Sequence, residues 1–382
     1  MDTTKSPRVL MIIGLYHPIV GGAEKICQAL SKSLYQRGVP VAVLTQRRRG
    51  LPECEVIDAI PVHRKMKWWH PFGIAYMLSV LLFLVRYRRE YEIIQCFGLF
   101  LFVPPAMLMR YLFKKRVVLR LMCSGPYGDF ANIEDLTFKD LIMAGARHAD
   151  RIIYMSSDMR EELLQHRFAE EKLTCIPNGV DTERYVPAAA PGTHVCFVGR
   201  LEAQKGPGYL IRAFSLLARE SGMAKLLMVG EGRQKPLLED LSRHLAIDEK
   251  VVFAGFSDNV LRYYQEARIF VLPSLSEGMS SALLEAMACG LAVIVTWVGA
   301  SEELVGAELP GKEMPRGHYH IGKRGIVVHH HDEKALAEAL RVLMNDAKLT
   351  ATLGHRAREF VLKSYSHATM VSSYQALYCS LG

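Results

Sequence analysis

Two glutamates, Glu277 and Glu285, stand with seven residues between them in the stretch Leu272-Pro273-Ser274-Leu275-Ser276-Glu277-Gly278-Met279-Ser280-Ser281-Ala282-Leu283-Leu284-Glu285-Ala286-Met287-Ala288-Cys289-Gly290. An apolar run ends near Pro273 and a loop of small and polar residues follows. The spacing predicts a helix that starts near Met279 or Ser280 and stops at Gly290 as its C-terminal cap. The unsatisfied N–H groups of such a helix start, with the helix dipole behind them, favour an anion such as a diphosphate. Glu277, just ahead of those donors, is placed to accept hydrogen bonds from sugar hydroxyls. Glu285, about one and a half turns into the helix, is placed to reach ribose hydroxyls. The plainer alternative makes Glu277 a helix cap and Glu285 a solvated side chain.

Arg200 and Lys205, five residues apart, follow another apolar run, His194 to Val198. Two fixed cations on one loop stabilise a leaving group on which negative charge develops, and need no metal to do so; either cation alone would read as surface solubility. Gly21-Gly22 sits between the first apolar run and a helical pattern of Ile26, Ala29, Leu30 and Leu34 that ends at Gly38. A glycine pair permits close backbone approach to a phosphate or sugar. It lacks the GxGxxG spacing, which weighs against a dinucleotide enzyme. The triplet His329-His330-His331, with His318 and His320 nearby, has no i, i+4 pairing with a carboxylate, and Asp332 reads as the cap of a helix over Lys334 to Met344. It reads as a solvated loop. No metal and no other cofactor is expected.

Elements must hold these loops. Apolar β-branched runs alternate with helix-period segments along the chain, as when crossover helices join parallel strands. The first series is Val9 to Ile13, Val41 to Thr45, Glu92 to Cys96, Val117 to Leu121, Arg151 to Met155 and Thr174 to Pro177. The second is His194 to Val198, Leu226 to Val229, Val251 to Ala254, Ile269 to Leu272, Ala292 to Thr296 and Gly325 to Val328. The expected architecture is α/β, with two Rossmann-like doubly wound domains facing a central cleft at the carboxyl ends of their strands. The loose stretch Tyr185 to Gly192 is the expected linker, giving domains over 1–185 and 186–360, with a helical segment over 361–382 crossing back to the first.

A chain of 382 residues, 50% hydrophobic and 23% charged, has ample material for two cores. Its eight cysteines are widely spaced with no CxxC pair and read as reduced, mostly buried thiols. Met1 to Pro7 lacks the layout of a signal peptide, so a cytoplasmic protein is expected. The net charge is +8, yet the residues through Arg120 hold 19 Lys and Arg against 7 Asp and Glu, a net of +12, which leaves −4 for the remainder. Arg47-Arg48-Arg49, Arg86-Tyr87-Arg88-Arg89 and Lys114-Lys115-Arg116 supply most of the excess. Gly73 to Val85 is almost wholly apolar, preceded by Trp68-Trp69-His70-Pro71-Phe72. It falls short of the roughly 20 residues a spanning helix needs. A buried helix is the first reading. A helix lying on the inner face of an anionic membrane, making the protein peripheral there, is the second. No nucleic-acid module is present.

The Glu277/Glu285 spacing followed by Ala-Met-Ala-x-Gly resembles the signature of family 4 glycosyltransferases. So do Gly21-Gly22-Ala23-Glu24, Ile176-Pro177-Asn178-Gly179-Val180-Asp181, Val198-Gly199-Arg200-Leu201 with Lys205-Gly206, and Val229-Gly230-Glu231-Gly232. The resemblance spans nearly the full chain. It implies the GT-B fold and a retaining transfer of a sugar from a nucleotide-diphosphate donor, a UDP-sugar first and GDP-mannose next, onto a lipid-linked or polysaccharide acceptor. It implies Arg200 and Lys205 on the donor phosphates and Glu277 as a positioning group, with same-face attack and the departing phosphate taking the acceptor's proton. It further assigns Gly21, Gly22, Gly199, Gly230, Glu231, Phe256, Gly278, Met279, Ser280, Ser281 and Glu285 to the donor. Relatives often carry a histidine after the fourth strand, where this chain reads Arg120-Leu121-Met122-Cys123-Ser124-Gly125-Pro126-Tyr127-Gly128-Asp129. Ser124, Gly125, Asp129 and His17 are the acceptor-side candidates in its place. Competing readings are an inactive nucleotide-sugar-binding subunit and a GT-B epimerase or phosphorylase. A monomer or weak dimer is expected.

Overall fold

The computed structural model describes residues 6–19, 21–67, 73–190, 192–218, 220, 222, 224–308 and 314–382. Residues 68–72, which hold the tryptophan pair, lie outside the described residues. The chain divides into two units, Met1–Pro177 with Thr369–Gly382, and Asn178–Ala368.

The first unit runs β1 (Val9–Ile12), α1 (Gly22–Gln36), β2 (Val41–Gln46), β3 (Cys54–Ile57), β4 (Ile60–Met66), α2 (Ile74–Arg86), β5 (Ile93–Phe97), α3 (Val103–Phe113), β6 (Arg116–Arg120), α4 (Asp129–Ile133), α5 (Lys139–Arg147), β7 (Arg151–Tyr154), α6 (Ser157–Gln165) and β8 (Leu173–Cys175). Its strands are ordered β3-β4-β2-β1-β5-β6-β7-β8, and only β3 runs antiparallel among the described residues. Side chains alternate across a strand, so Val9, Met11, Val41 and Val43 share one face of the sheet. That face buries Ile26, Leu30 and Leu34 of α1. The chain's last helix, α14 (His367–Leu381), adds Met370, Tyr374 and Tyr378 to the same core, and the Tyr378 hydroxyl hydrogen-bonds Gln95. On the opposite face α2 packs beside α3, and α3 beside α5. Right-handed crossovers dictate this segregation: β1 to β2 moves one way along the sheet, while β4 to β5, β5 to β6 and β6 to β7 move the other.

The second unit runs β9 (His194–Val198), α7 (Pro207–Ser215), β10 (Leu226–Val229), α8 (Lys235–His244), β11 (Val251–Gly255), α9 (Leu261–Glu266), β12 (Ala267–Leu272), α10 (Ser281–Ala288), β13 (Ala292–Thr296), α11 (Ser301–Val305), β14 (Tyr319–Ile321), β15 (Ile326–Val328), α12 (Glu333–Asn345) and α13 (Ala347–Ser364). The strand order is β11-β10-β9-β12-β13-β15-β14, with β14 antiparallel. All twelve apolar runs expected as strands form them. The hairpin β3–β4 and the edge strand β14 were not anticipated. β4 alternates buried with more exposed residues, while β3 and β14 alternate exposed with half-buried ones, which leaves no continuous apolar run to read.

The unit boundary falls ahead of the loose stretch that marks the expected linker, because residues 178–185 pack on the second unit. Asn178 bonds the Met279 carbonyl, Val180 bridges Ser366, and the Tyr185 ring meets Tyr264. The returning segment begins at 369 rather than 361, since α13 packs on α10 and β13.

Candidate functional site

In the second unit the chain builds β9, β10 and β11 outward in one direction, then returns to place β12 on the other side of β9. The strand order therefore reverses between β9 and β12, and the loops leaving their carboxyl ends diverge there; such a switch point is where open α/β sheets bind ligands. The loop after β9 carries Gly199, Arg200 and Lys205. The loop after β12 carries Glu277 to Ser280.

These loops are bound to each other. The Leu275 N–H donates to the Gln204 carbonyl at 2.7 Å, and the Gln204 side-chain amide to the Ser276 carbonyl at 3.3 Å. Glu277 is buried, and its Oε1 accepts from Lys205 Nζ at 2.5 Å and from Ser274 Oγ at 2.8 Å. The lysine and glutamate are thus partners in a mostly buried ion pair that fixes both groups. Arg200 is exposed and its guanidinium donates to Gln204 Oε1 at 3.2 Å, which aims it along the same loop.

Two further sides hold the Glu277 loop. From β13, Thr296 Oγ1 donates to the Ser274 carbonyl, and the Ala300 N–H to the Gly278 carbonyl at 2.9 Å. From the other side, Asn178 Nδ2 donates to the Met279 carbonyl at 2.7 Å. Ser280 then caps α10, its Oγ accepting from the Leu283 N–H. Gly290, at φ +75°, stops the helix where expected, the Leu291 N–H reaching back to the Ala286 carbonyl.

The remaining donor-side residues take two positions. Gly230, Glu231 and Phe256 follow β10 and β11 at the same sheet edge, joined to the first loop by the Leu201 N–H donating to the Glu231 carbonyl at 2.9 Å. Glu231 pairs with Lys235, and Phe256 exposes its ring. Glu285 was expected to reach ribose hydroxyls from α10, with a solvated side chain as the plainer alternative; burial excludes that alternative. It is buried on α10, and its Oε2 accepts from the Tyr264 hydroxyl at 2.9 Å. Burial first, and the Glu285 charge second, push that hydroxyl well above its ordinary pKa.

In the first unit, Gly21 is the N-cap of α1 and Gly22 its first residue. His17 is exposed; its carbonyl accepts from the buried Arg64 guanidinium at 2.6 Å, and Arg64 is itself paired with Glu55. Asp129 is buried and fully engaged with backbone. Oδ1 accepts from the Leu99 N–H at 3.0 Å, while Oδ2 accepts from the Met122 and Cys123 N–H groups at 2.6 and 3.1 Å. Its carboxylate clamps the loops after β5 and β6, so of the acceptor-side candidates it is a structural tie. Ser124 is buried and Gly125 donates its N–H to Glu162 Oε1 at 3.4 Å.

Glu162 was not singled out by sequence, since a glutamate on an amphipathic helix carries no signal. Burial raises its carboxyl to about 7, the Gly125 N–H opposing and the Asp129 charge reinforcing. An acid whose pKa is higher folded than unfolded keeps its proton in the folded state while the unfolded chain loses its own. Stability therefore falls as pH rises from about 4.5 to about 7 and levels off above. Allowing for the partial exposure of Glu162, Glu162→Gln should remove about 1–2 kcal/mol of that loss. Urea unfolding at the two ends of the window checks it; parallel pH profiles for variant and wild type would refute it.

The histidine triplet is more enclosed than a solvated loop. His329 and His330 are half-buried and stack at 4.3 Å, and His331 hydrogen-bonds Tyr209 of α7. Among the described residues no group of three or more His, Cys, Asp or Glu side chains is arranged to hold a metal ion.

Two family models match successive parts of the chain: Glycosyltransferase Family 4 over residues 20–184 and Glycosyl transferases group 1 over residues 192–346. An uncharacterized glycosyltransferase of Methanocaldococcus jannaschii is 29% identical over 338 residues, 80% of this chain and 84% of that one. The N-acetylgalactosamine-N,N'-diacetylbacillosaminyl-diphospho-undecaprenol 4-alpha-N-acetylgalactosaminyltransferase of Campylobacter jejuni is 28% identical over 59% of this chain and 60% of its own. The UDP-Gal:alpha-D-GlcNAc-diphosphoundecaprenol alpha-1,3-galactosyltransferase of Escherichia coli is 25% identical, covering 64% of each. Among solved structures, sucrose-phosphate synthase from Thermosynechococcus elongatus superposes with a TM-score of 0.80 at 21% identity, over 98% of this chain and 99% of that one. Its likeness is one of fold.

Proposed function

The chain belongs to glycosyltransferase family 4, with the GT-B fold, and from that premise we propose that it moves a sugar from a nucleotide-diphosphate donor onto a lipid-linked or other glycan acceptor, with retention of the donor's anomeric configuration. The observation that carries the reading is the switch point between β9 and β12, where Arg200, Lys205 and Glu277 emerge on mutually bonded loops. In this reading the diphosphate lies against the loop after β9 and the start of α10, where Arg200, Lys205 and backbone N–H groups oppose its charge. That charge grows as the glycosidic bond breaks, so cations held in advance stabilise the transition state more than the ground state. Glu277, held by Ser274 and Lys205, orients the sugar. The acceptor hydroxyl attacks from the face the diphosphate leaves and passes its proton to that phosphate. Phe256, an exposed ring at the end of β11, offers a stacking surface for the base.

A UDP-sugar is the first candidate donor and GDP-mannose the next; the Escherichia coli relative is named for UDP-Gal and, like the Campylobacter jejuni one, for a diphospho-undecaprenol acceptor. No metal is required in this scheme. The alternative is an inactive nucleotide-sugar-binding subunit, favoured by one observation: the loop after β6 holds no histidine, and Asp129 there is engaged by three backbone N–H groups.

Thermal shift and donor hydrolysis against UDP-, GDP- and ADP-sugars in EDTA test both. Saturation at about a hundredfold over Kd should add about 2.7 kcal/mol, a rise of a few degrees in Tm, with slow release of one nucleotide. A shift without turnover in the presence of any glycan or lipid-linked acceptor would favour the inactive subunit. No shift with any donor would sink both readings.

A further inference from the structure

The outer face of α2 and α3 is apolar and open. Ile74, Leu78 and Leu82 recur at every fourth residue of α2 and are exposed, Leu82 at 70%. On the neighbouring α3, Leu108, Tyr111 and Leu112 are exposed, Leu112 at 63%. Single exposed leucines need no explanation, but a contiguous set on two packed helices does. Both helices lie on the sheet face opposite α1 and α14, so their outward side chains belong to one surface.

That surface has a predominantly cationic margin. Residues 86–116 contain seven Lys and Arg against Glu90 and Glu92, and Glu92 is bonded to Arg8. The C-terminal ends of the two helices meet where the Arg88 guanidinium stacks over the Phe113 ring at 5.5 Å. Arg110 and Arg116 are paired with Asp150, whereas Arg86, Arg89 and Lys114 are exposed and have no ion pair among the described residues. α2 has 13 residues, and among the described residues no helix is long and apolar enough to cross a membrane.

We infer that this α2–α3 face is a docking surface for an anionic lipid bilayer. The leucines enter the boundary of the acyl chains while Tyr111 and the arginine and lysine margin stay at the headgroups. Apolar area supplies the affinity and the cations supply the preference for negative lipid. The charge complementarity selects a lipid surface over a second copy of this chain, whose identical cationic margin would be brought against itself. The inference deepens the lipid-linked-acceptor reading, and it rests on that reading only for its purpose, since docking needs neither donor nor acceptor.

The test sediments the full chain with vesicles of phosphatidylcholine alone or with about 30% phosphatidylglycerol, without nucleotide sugar. Partition into the anionic vesicles should be at least about tenfold stronger and should weaken with salt. L82S combined with L112S should lower it about tenfold or more, and R86Q with R89Q and K114Q should erase the preference for anionic lipid. These side chains face outward, so Tm and the donor-induced thermal shift should stay at wild-type values in both variants. Equal binding to neutral and anionic vesicles would overturn the inference. So would wild-type binding by the leucine variant, or a concentration-dependent dimer that the leucine variant dissolves. Vesicle binding that persists in a protein with no donor turnover would retire the transferase reading alone.

Discussion

Glu277→Gln should lower turnover by about a hundred- to a thousandfold while the chain remains folded. The carboxylate Oε1 accepts from both Lys205 and Ser274, so Glu277 sets the direction of the cation as well as its own. A glutamine keeps the shape, and its Oε1 can still accept, but the neutral amide supplies no charge to hold the ammonium. Lys205 is then left mostly buried without its counter-charge. The stability cost should stay within about 1–3 kcal/mol, because Lys205 retains a path to solvent. The activity cost is larger, since the positions of the sugar and of the phosphate-facing cation are lost together. Steady-state kinetics with the donor identified by thermal shift, alongside urea unfolding, separates the two. A kcat within about threefold of wild type would show that the pair is only structural.

The second large effect concerns backbone. Gly206→Ala should destabilise the second unit by about 3 kcal/mol and weaken donor binding with it. Gly206 sits at φ +62°, and a Cβ there would lie 2.1 Å from the Pro273 carbonyl oxygen. That contact is with backbone, so no side chain can swing aside. Relief requires the loops after β9 and β12 to separate, and this is the separation the Lys205–Glu277 pair spans. Urea unfolding of the full chain measures the stability term, and the donor-induced thermal shift measures the binding term. A loss under about 0.5 kcal/mol would mean the two loops are looser than their bonding indicates.

Among the cysteines, Cys27, Cys96, Cys196 and Cys289 are buried, while Cys54, Cys175 and Cys379 are exposed thiols. Mostly buried thiols were expected, and spacing alone does not tell the exposed ones from the buried ones. The same limit applies at the site. Ser274 is only three residues before Glu277, but its role depends on the tightness of the turn between β12 and α10. Asn178 appeared in a recognisable run, yet its bond to the Met279 carbonyl joins residues 101 positions apart. Asp129, an acceptor-side candidate from the sequence, is a backbone clamp, because three N–H groups from two different strand ends converge on it.

By itself the sequence determined what depends on short-range pattern. Apolar runs with period-two and period-3.6 spacing specified the parallel strands and their crossover helices. Ser280 and Gly290 specified the ends of α10, because caps are local hydrogen-bond chemistry. The order of glycines, cations and glutamates pointed to the family. Only the tertiary structure decided what depends on distant residues meeting. It paired Lys205 with Glu277, turned Glu285 inward onto Tyr264, and brought α2 and α3 side by side with their leucines outward. Each of these is set by strand order and crossover hand, which bring together side chains that no local spacing relates.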